Sequence, residues 1–423
     1  MRKYQQLFLI FITVASLAIL FVYKSENSRL KYVLHYVNFF GRSDAALLSR
    51  INNTKIMQAS YYYSPLPLWQ RIGINFYAYS SFWNKKSLVA GGEAISIVTG
   101  FKDAFINFQC SLKYENDKVI MGKFMFINLA NDIDLKEDVK PGAEIFSVYK
   151  FICKITRDFG QPDKVIFTEI KTKAKHEITL KHIRNNLLQD NVSTSICLNL
   201  IPYNESISSI LPLFTNRDNF MQFFILHQAI GIENFFIYNA DIIPENVRQL
   251  LSKTSLNINY FPYNFPFDYH SRKTLKILES DCLMRSMHLS KYVLILEPNE
   301  FFYPNFNVRF RGSVIKDLDH YDTMYDRFEL PSFSVCMEDN KKILMDNNMY
   351  NPEAKIHHKF YVYKPTLRNE ETKSIALTVS QGFIHRYINC FNITDQLYDW
   401  RNSIRNDFMH YLQTVRNEIS FLF

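Results

Sequence analysis

The sequence predicts an α/β fold with a mostly parallel sheet in its second half, preceded by a β-rich segment. From about Ser195, strand-like apolar runs alternate with segments of helical period, the pattern of βαβ units. From Tyr61 to about His182, short partly alternating runs are separated by Asn, Asp, Gly and Pro turns. The third observation is Tyr292–Leu296, an unbroken apolar run of strand formers that stops abruptly at Glu297-Pro298-Asn299-Glu300.

Taken in order, the chain begins with a short tail at 1–6. The uncharged run Leu7–Tyr23 follows, flanked by Arg2 and Lys3 on one side and Lys24 on the other. At about 1.5 Å per helical residue it would span about 26 Å, enough for an uncleaved signal anchor with mild bilayer thinning. A cleaved signal peptide is the competing reading, but no A-x-A site follows. The expected protein is therefore single-pass and type II, with residues 24–60 as a stem and its body in the secretory lumen. Six cysteines, all beyond the anchor and none in a C-x-x-C pair, suit disulfides in an oxidising space. Sequons at Asn52, Asn191, Asn204 and Asn392 suit the same space.

Residues 61–190 form the β-rich accessory segment, with AISIVTGF, NFQCSLKY, KVIMGKFMFINL, EIFSVYKFICKI, KVIFTEI and HEITLKHI as its strands. Cys110 and Cys153 each sit in one of these, so a bridge across the sheet is open, along with other pairings. The polar stretch Asn185–Thr194 marks a boundary before a second domain at 195–410 and a tail at 411–423. In this domain SICLNLIPYN is a strand, Arg217–Ile230 a helix ended by Gly231, NFFIYNA a strand, and Pro244–Leu251 a helix. INYFPY is the next strand, and a helix from about Tyr269 to His288 leads into KYVLILEPNE.

Composition bounds the function classes. Aromatic residues reach 16%, with 37 Phe and 26 Tyr, as in a densely packed globular chain. The formal charge of +8 is scattered, and no basic, aromatic-interleaved module points to nucleic acid. Glu297, Asn299 and Glu300 place carboxylate and amide oxygens at the carboxyl end of a buried strand, where open α/β sheets bind ligands. A hard divalent cation and a diphosphate suit such oxygens, whereas a solvated turn is the plainer reading.

Three stretches carry a family resemblance: HQAIGIENFFIYNADIIPENVRQLL, ESDCLMRSMHLSKYVLILEPNEFFYP and GFIHRYINC, in that order. Together they resemble glycosyltransferase family 92, over roughly 195–410, with weaker echoes at FYAYSSFW and NFQCSLKY. The resemblance implies a GT-A-like nucleotide-sugar-binding domain in a type II Golgi or ER membrane protein. It also implies transfer of galactose from UDP-galactose to a glycan or glycoprotein acceptor, with inversion. The family's D-x-D-E strand end, which holds Mn²⁺ against the donor diphosphate, reads Glu297-Pro298-Asn299-Glu300 here. One carboxylate has become a neutral amide, so weakened or absent Mn²⁺ binding is expected.

The candidate donor-binding set is Glu297, Asn299, Glu300 and Arg386, and the candidate metal set Glu297, Asn299 and His385. His385 lies where GT-A enzymes place a further ligand; its plainer role is a structural histidine. Arg386 suits a diphosphate or a plain surface position. Glu338 and Asp339, after SFSVC, are the candidates for the general base that an inverting transferase needs. The Lys355, His357, His358 and Lys359 cluster reads as solvated loop before phosphate contact, and Asp281 as a structural support beside Cys282. Two functions stand open: a metal-assisted hexosyltransferase, or a non-catalytic lumenal protein that binds a glycan or a partner.

Overall fold

In the computed structural model the chain divides into Met1–Pro67 and Leu68–Phe423. The described residues, all in the second unit, are 69–85, 91–102, 104–129, 146–182, 194–201, 214–263, 265–267, 273–287, 289–304, 318, 325–337, 343–347, 349–351, 359–365, 373–388, 398–399, 413 and 416–417. The run Leu7–Tyr23, the stem, the four sequons, Glu338, Asp339, Lys355, His357 and His358 lie outside them.

The first half of this unit is one sheet. Its strands are β1 (Gln70–Ile72), β2 (Phe76–Lys85), β3 (Gly92–Phe101), β4 (Phe108–Lys113), β5 (Val119–Asn128), β6 (Phe146–Lys154), β7 (Lys164–Glu169), β8 (Lys175–Thr179) and β9 (Lys181–His182). They run in the order β1-β2-β3-β6-β5-β4-β7-β8, antiparallel throughout, with β9 parallel on β2. β1 and β8, the two ends of that path, approach each other, so the sheet nearly closes on itself. Inside it Phe76, Phe108 and Phe167 each meet Phe151 with ring centroids 5.5–5.8 Å apart.

A disulfide between Cys110 on β4 and Cys153 on β6 passes over the strand between them, β5. A Cβ at Gly122 would lie 2.5 Å from the Cys153 sulfur and 3.3 Å from that of Cys110, so only glycine lets the bridge pass.

The second half begins with β10 (Thr194–Asn199), α1 (Arg217–Ala229), β11 (Asn234–Tyr238), α2 (Glu245–Leu251), β12 (Asn257–Phe261), α3 (Lys273–Ser286) and β13 (Tyr292–Leu296). The four strands are parallel in the order β12-β11-β10-β13. Asn216 caps α1 by accepting from the Asn219 N–H at 2.9 Å, and Gly231, at φ +92°, ends its last turn. β14 (Glu300–Tyr303), β15 (Arg327–Leu330), β16 (Ser332–Cys336), β17 (Met349–Asn351), β18 (Phe360–Tyr363), β19 (Ser374–Ala376), β20 (Phe383–Ile388) and β21 (Tyr398–Asp399) follow. β18, antiparallel to β13 and to β15, then β15 and β19 widen this sheet, and β14-β20-β16-β17-β21 form a third.

These sheets correct the expected α/β fold with a mostly parallel, GT-A-like sheet. Among the described residues strands far outnumber the three α-helices, and most strand pairings are antiparallel. A parallel neighbour needs a crossover of a dozen or more residues. The helical segments supply that only between β10 and β13. The connection from β13 to β14 is the three residues Glu297–Asn299, so β14 leaves for another sheet.

α3 lies between two sheets, packed on β2, β3 and β6 from one side and on β10 and β13 from the other. Such a helix is buried nearly all round, which explains the buried Lys273, Ser280, Asp281 and Arg285 beside Ile277 and Leu278. It also explains why β3 and β6 are buried on both faces. Cys282 of α3 is bridged to Cys197 of β10, and Cys336 is disulfide-bonded too.

The expected single-pass type II placement in Golgi or ER is likewise corrected. No helix among the described residues is long and apolar enough to cross a membrane.

Candidate ligand site at the end of β13

Proline explains the shape of this site. Pro298 has no N–H for a ladder, so the chain turns at the end of β13 and re-pairs in another sheet as β14. The turn is closed by Glu300 N–H to the Glu297 carbonyl at 3.0 Å and by Glu297 N–H to Glu300 Oε2 at 2.8 Å. Asn299 then clamps β20 from both sides: its carbonyl accepts from the Tyr387 N–H at 2.9 Å, and its Nδ2 donates to the Tyr387 carbonyl at 3.0 Å.

β14 pairs antiparallel with β20, setting Glu300 opposite Arg386 and Phe301 opposite His385. The guanidinium consequently stands between two carboxylates. Arg386 Nη2 is 3.7 Å from Glu297 Oε2, and its Nε is 3.7 Å from Glu300 Oε1. All three side chains are largely buried, with Glu300 at 1% exposure. The Asn299 Oδ1, fully buried, accepts no hydrogen bond among the described residues.

His385, the neighbour of Arg386, faces the other way, as alternation along a strand requires. Its ring lies among Tyr303 at 4.3 Å, Phe383 at 5.0 Å and Tyr387 at 6.1 Å. Burial holds its pKa well below the usual histidine value, so it is neutral. Glu297, Glu300 and Arg386 are thus brought together, whereas His385 belongs to an aromatic cluster. Among the described residues no group of three or more His, Cys, Asp and Glu side chains is arranged for a metal ion.

Those residues do not fit a resident Mn²⁺. A hard cation needs carboxylate oxygens about 2.0–2.6 Å away. Here a guanidinium already holds the space between the two carboxylates and would repel a second cation at short range.

Several residues at this edge carry no motif of their own. His227 of α1 accepts from the Phe302 N–H through Nε2 at 3.2 Å, and its Nδ1 is 2.7 Å from the Phe223 carbonyl. That pair of contacts fixes its tautomer and ties α1 to β14. Burial drives its pKa down to about 3. Asn239, in the left-handed region at φ 59° after β11, donates from Nδ2 to the Leu200 carbonyl at 2.8 Å. Asn199 accepts the Ile201 N–H at 2.9 Å. The strand order reverses at β10, with β11 on one side and β13 on the other, and Asn199, Asn239 and Glu297 follow the carboxyl ends of β10, β11 and β13, the edge where open sheets take ligands. His227 sits within the first stretch quoted for the family resemblance, which was the available signal.

Asp281, read from the sequence as a structural support beside Cys282, joins three elements. It accepts from Ser80 Oγ at 2.5 Å and Tyr238 OH at 2.7 Å, and pairs with Arg285 through Nη2 at 3.0 Å and through Nε. Burial by itself raises its pKa, but Arg285, Lys181 and these hydrogen bonds outweigh burial and hold it below the usual value. Burial also lowers Lys181, to about 7.

No protein-family model matches the chain, and no curated protein matches it.

Proposed function

We propose that this chain transfers a hexose, galactose from UDP-galactose first, to a glycan or glycoprotein acceptor. The observation that carries the reading is the buried Glu297–Arg386–Glu300 cluster at the end of β13, beside the point where strand order reverses. Arg386 offers a fork of N–H donors suited to phosphate oxygens, and Asn199 and Asn239 add amides along the same edge. Disulfides Cys110–Cys153 and Cys197–Cys282 fit folding in an oxidising compartment, where such acceptors are met. The acceptor hydroxyl would be deprotonated by a carboxylate. Glu338 and Asp339 remain the candidates; β16, which precedes them, runs parallel to β20 and ends with Cys336 opposite Ile388.

Calorimetry of the purified, disulfide-intact chain with UDP and UDP-galactose, followed by transfer assays on a glycan array, tests this. Binding and turnover are expected. A second reading, a non-catalytic glycan- or partner-binding protein, draws on the same ion pairs: both carboxylates are engaged by Arg386. It predicts glycan binding without turnover. Failure of UDP to bind under any condition removes the transferase.

A further inference from the structure

We propose that Arg386 is a built-in cation at the end of β13, so that ligand binding there needs no added metal and the natural protein does not take Mn²⁺ at this site. The carboxylate oxygens that would ligate a divalent ion, Glu297 Oε2 and Glu300 Oε1, both lie 3.7 Å from the one guanidinium. A cation between them would displace Arg386 or sit beside it, and a divalent ion beside a guanidinium in a buried site is strongly repelled. Displacement is opposed by the backbone. Arg386 lies on β20, held by β14 on one side and β16 on the other, and Asn299 is clamped to its neighbour Tyr387 at both ends.

Between the carboxylates in sequence, Asn299 carries a buried Oδ1 with no hydrogen bond among the described residues. A neutral oxygen of that kind is a standard partner for a hard cation. Glu297 and Glu300 therefore supply carboxylate oxygens of the kind a cation site uses, with an arginine in the cation's place. Glu297, Glu300 and Arg386 together carry one formal negative charge, and Arg386→Gln would leave two. Removing the guanidinium should thus open a site that the natural chain keeps closed. The ligand half of the proposal rests on the transferase reading; the metal half does not.

The test titrates Mn²⁺ alone, by electron paramagnetic resonance and calorimetry, into the intact chain, Arg386→Gln, Arg386→Lys and the double variant Glu297→Gln/Arg386→Gln. No specific binding is expected in the natural chain or in Arg386→Lys. Arg386→Gln should bind at least about tenfold tighter, since ligand charge sets affinity for hard cations, and the double variant should lose that gain. Mn²⁺ should also raise the Tm of Arg386→Gln by several degrees and leave the natural chain unchanged.

Specific Mn²⁺ binding by the natural chain that Glu297→Gln abolishes overturns the proposal, as does Arg386→Gln folding yet gaining no Mn²⁺ affinity. If Arg386→Gln does not fold, the natural chain and Arg386→Lys still decide it. A UDP titration with EDTA or with Mn²⁺ separates the two readings. Equal affinity in both supports the built-in cation, and binding only with Mn²⁺ sinks it while sparing the transferase. No UDP binding in either removes the transferase and leaves the Mn²⁺ result to stand by itself.

Discussion

Two buried arginine–carboxylate sites in this molecule differ in how closely the guanidinium meets its carboxylates. At Asp281 both carboxylate oxygens are saturated by Ser80, Tyr238 and Arg285, and the guanidinium also lies 4.2 Å from the Phe261 ring centroid. At the end of β13 Arg386 stands 3.7 Å from each of two carboxylates, beyond hydrogen-bond range. The first joins three elements, β2, β11 and α3, and gains rigidity from its short contacts. The second sits where β13 gives way to β14 of another sheet, and its guanidinium–carboxylate separations are longer. Tight saturation marks a weld between layers.

The comparison breaks first at Asp281. Asp281→Asn leaves Arg285 buried without its counterion, which should cost about 3–5 kcal/mol. Urea denaturation should show most of the stability gone, or no soluble protein; a loss under about 1 kcal/mol would refute the weld.

Acid comes next. The folded pKa of His227 is depressed to about 3 from the ordinary 6.5, and His385 is shifted in the same direction, both by burial. Above pH 6.5 both states leave the imidazole neutral and its contribution to stability is whole. As pH falls from 6.5 toward about 3, the unfolded chain takes up a proton that the folded chain refuses. Stability should therefore fall by about 1.4 kcal/mol per pH unit for each such histidine. His227→Gln should show a visibly shallower slope in unfolding free energy between pH 6.5 and 4; an unchanged slope would mean that His227 does not titrate on unfolding.

Gly122→Ala is expected to cost about 1–3 kcal/mol, because its methyl group meets the Cys110–Cys153 bridge. In a Cys110→Ala/Cys153→Ala background the same change should cost much less. Equal costs in the two backgrounds would show that the bridge is not what excludes a side chain there.

The smallest effect sharpens the contrast. Glu297→Gln leaves Arg386 with Glu300, so stability should drop by only about 1 kcal/mol. If Glu297→Gln destabilises as much as Asp281→Asn, the end of β13 is a weld as well.

Much of the local structure was legible. Apolar residues at helical spacing from Arg217 and Gly231 after them bounded α1, and the runs around Ile95, Cys110, Phe124, Phe151 and Phe167 are strands β3 to β7. YVLIL followed by Glu-Pro-Asn-Glu marked the strand end where the site lies. Such signals are local: a cap, a left-handed glycine and alternation act within a few residues.

Pairing direction and side-chain meetings were decided by the tertiary structure. β14 meets β20 across more than 80 residues, and nothing in either strand states that Glu300 will face Arg386 or that His385 will turn into an aromatic cluster. Asp281 read as a structural support beside Cys282, and only the two sheets packed on α3 make it and Arg285, one turn on, a buried pair. Local sequence set the limits of α1 and the places of β3 to β7, because those follow from backbone sterics and local hydrogen bonding. Sheet order and the ionic partners at β13 and α3 depend on which distant surfaces bury one another, a choice made only when the whole chain is packed.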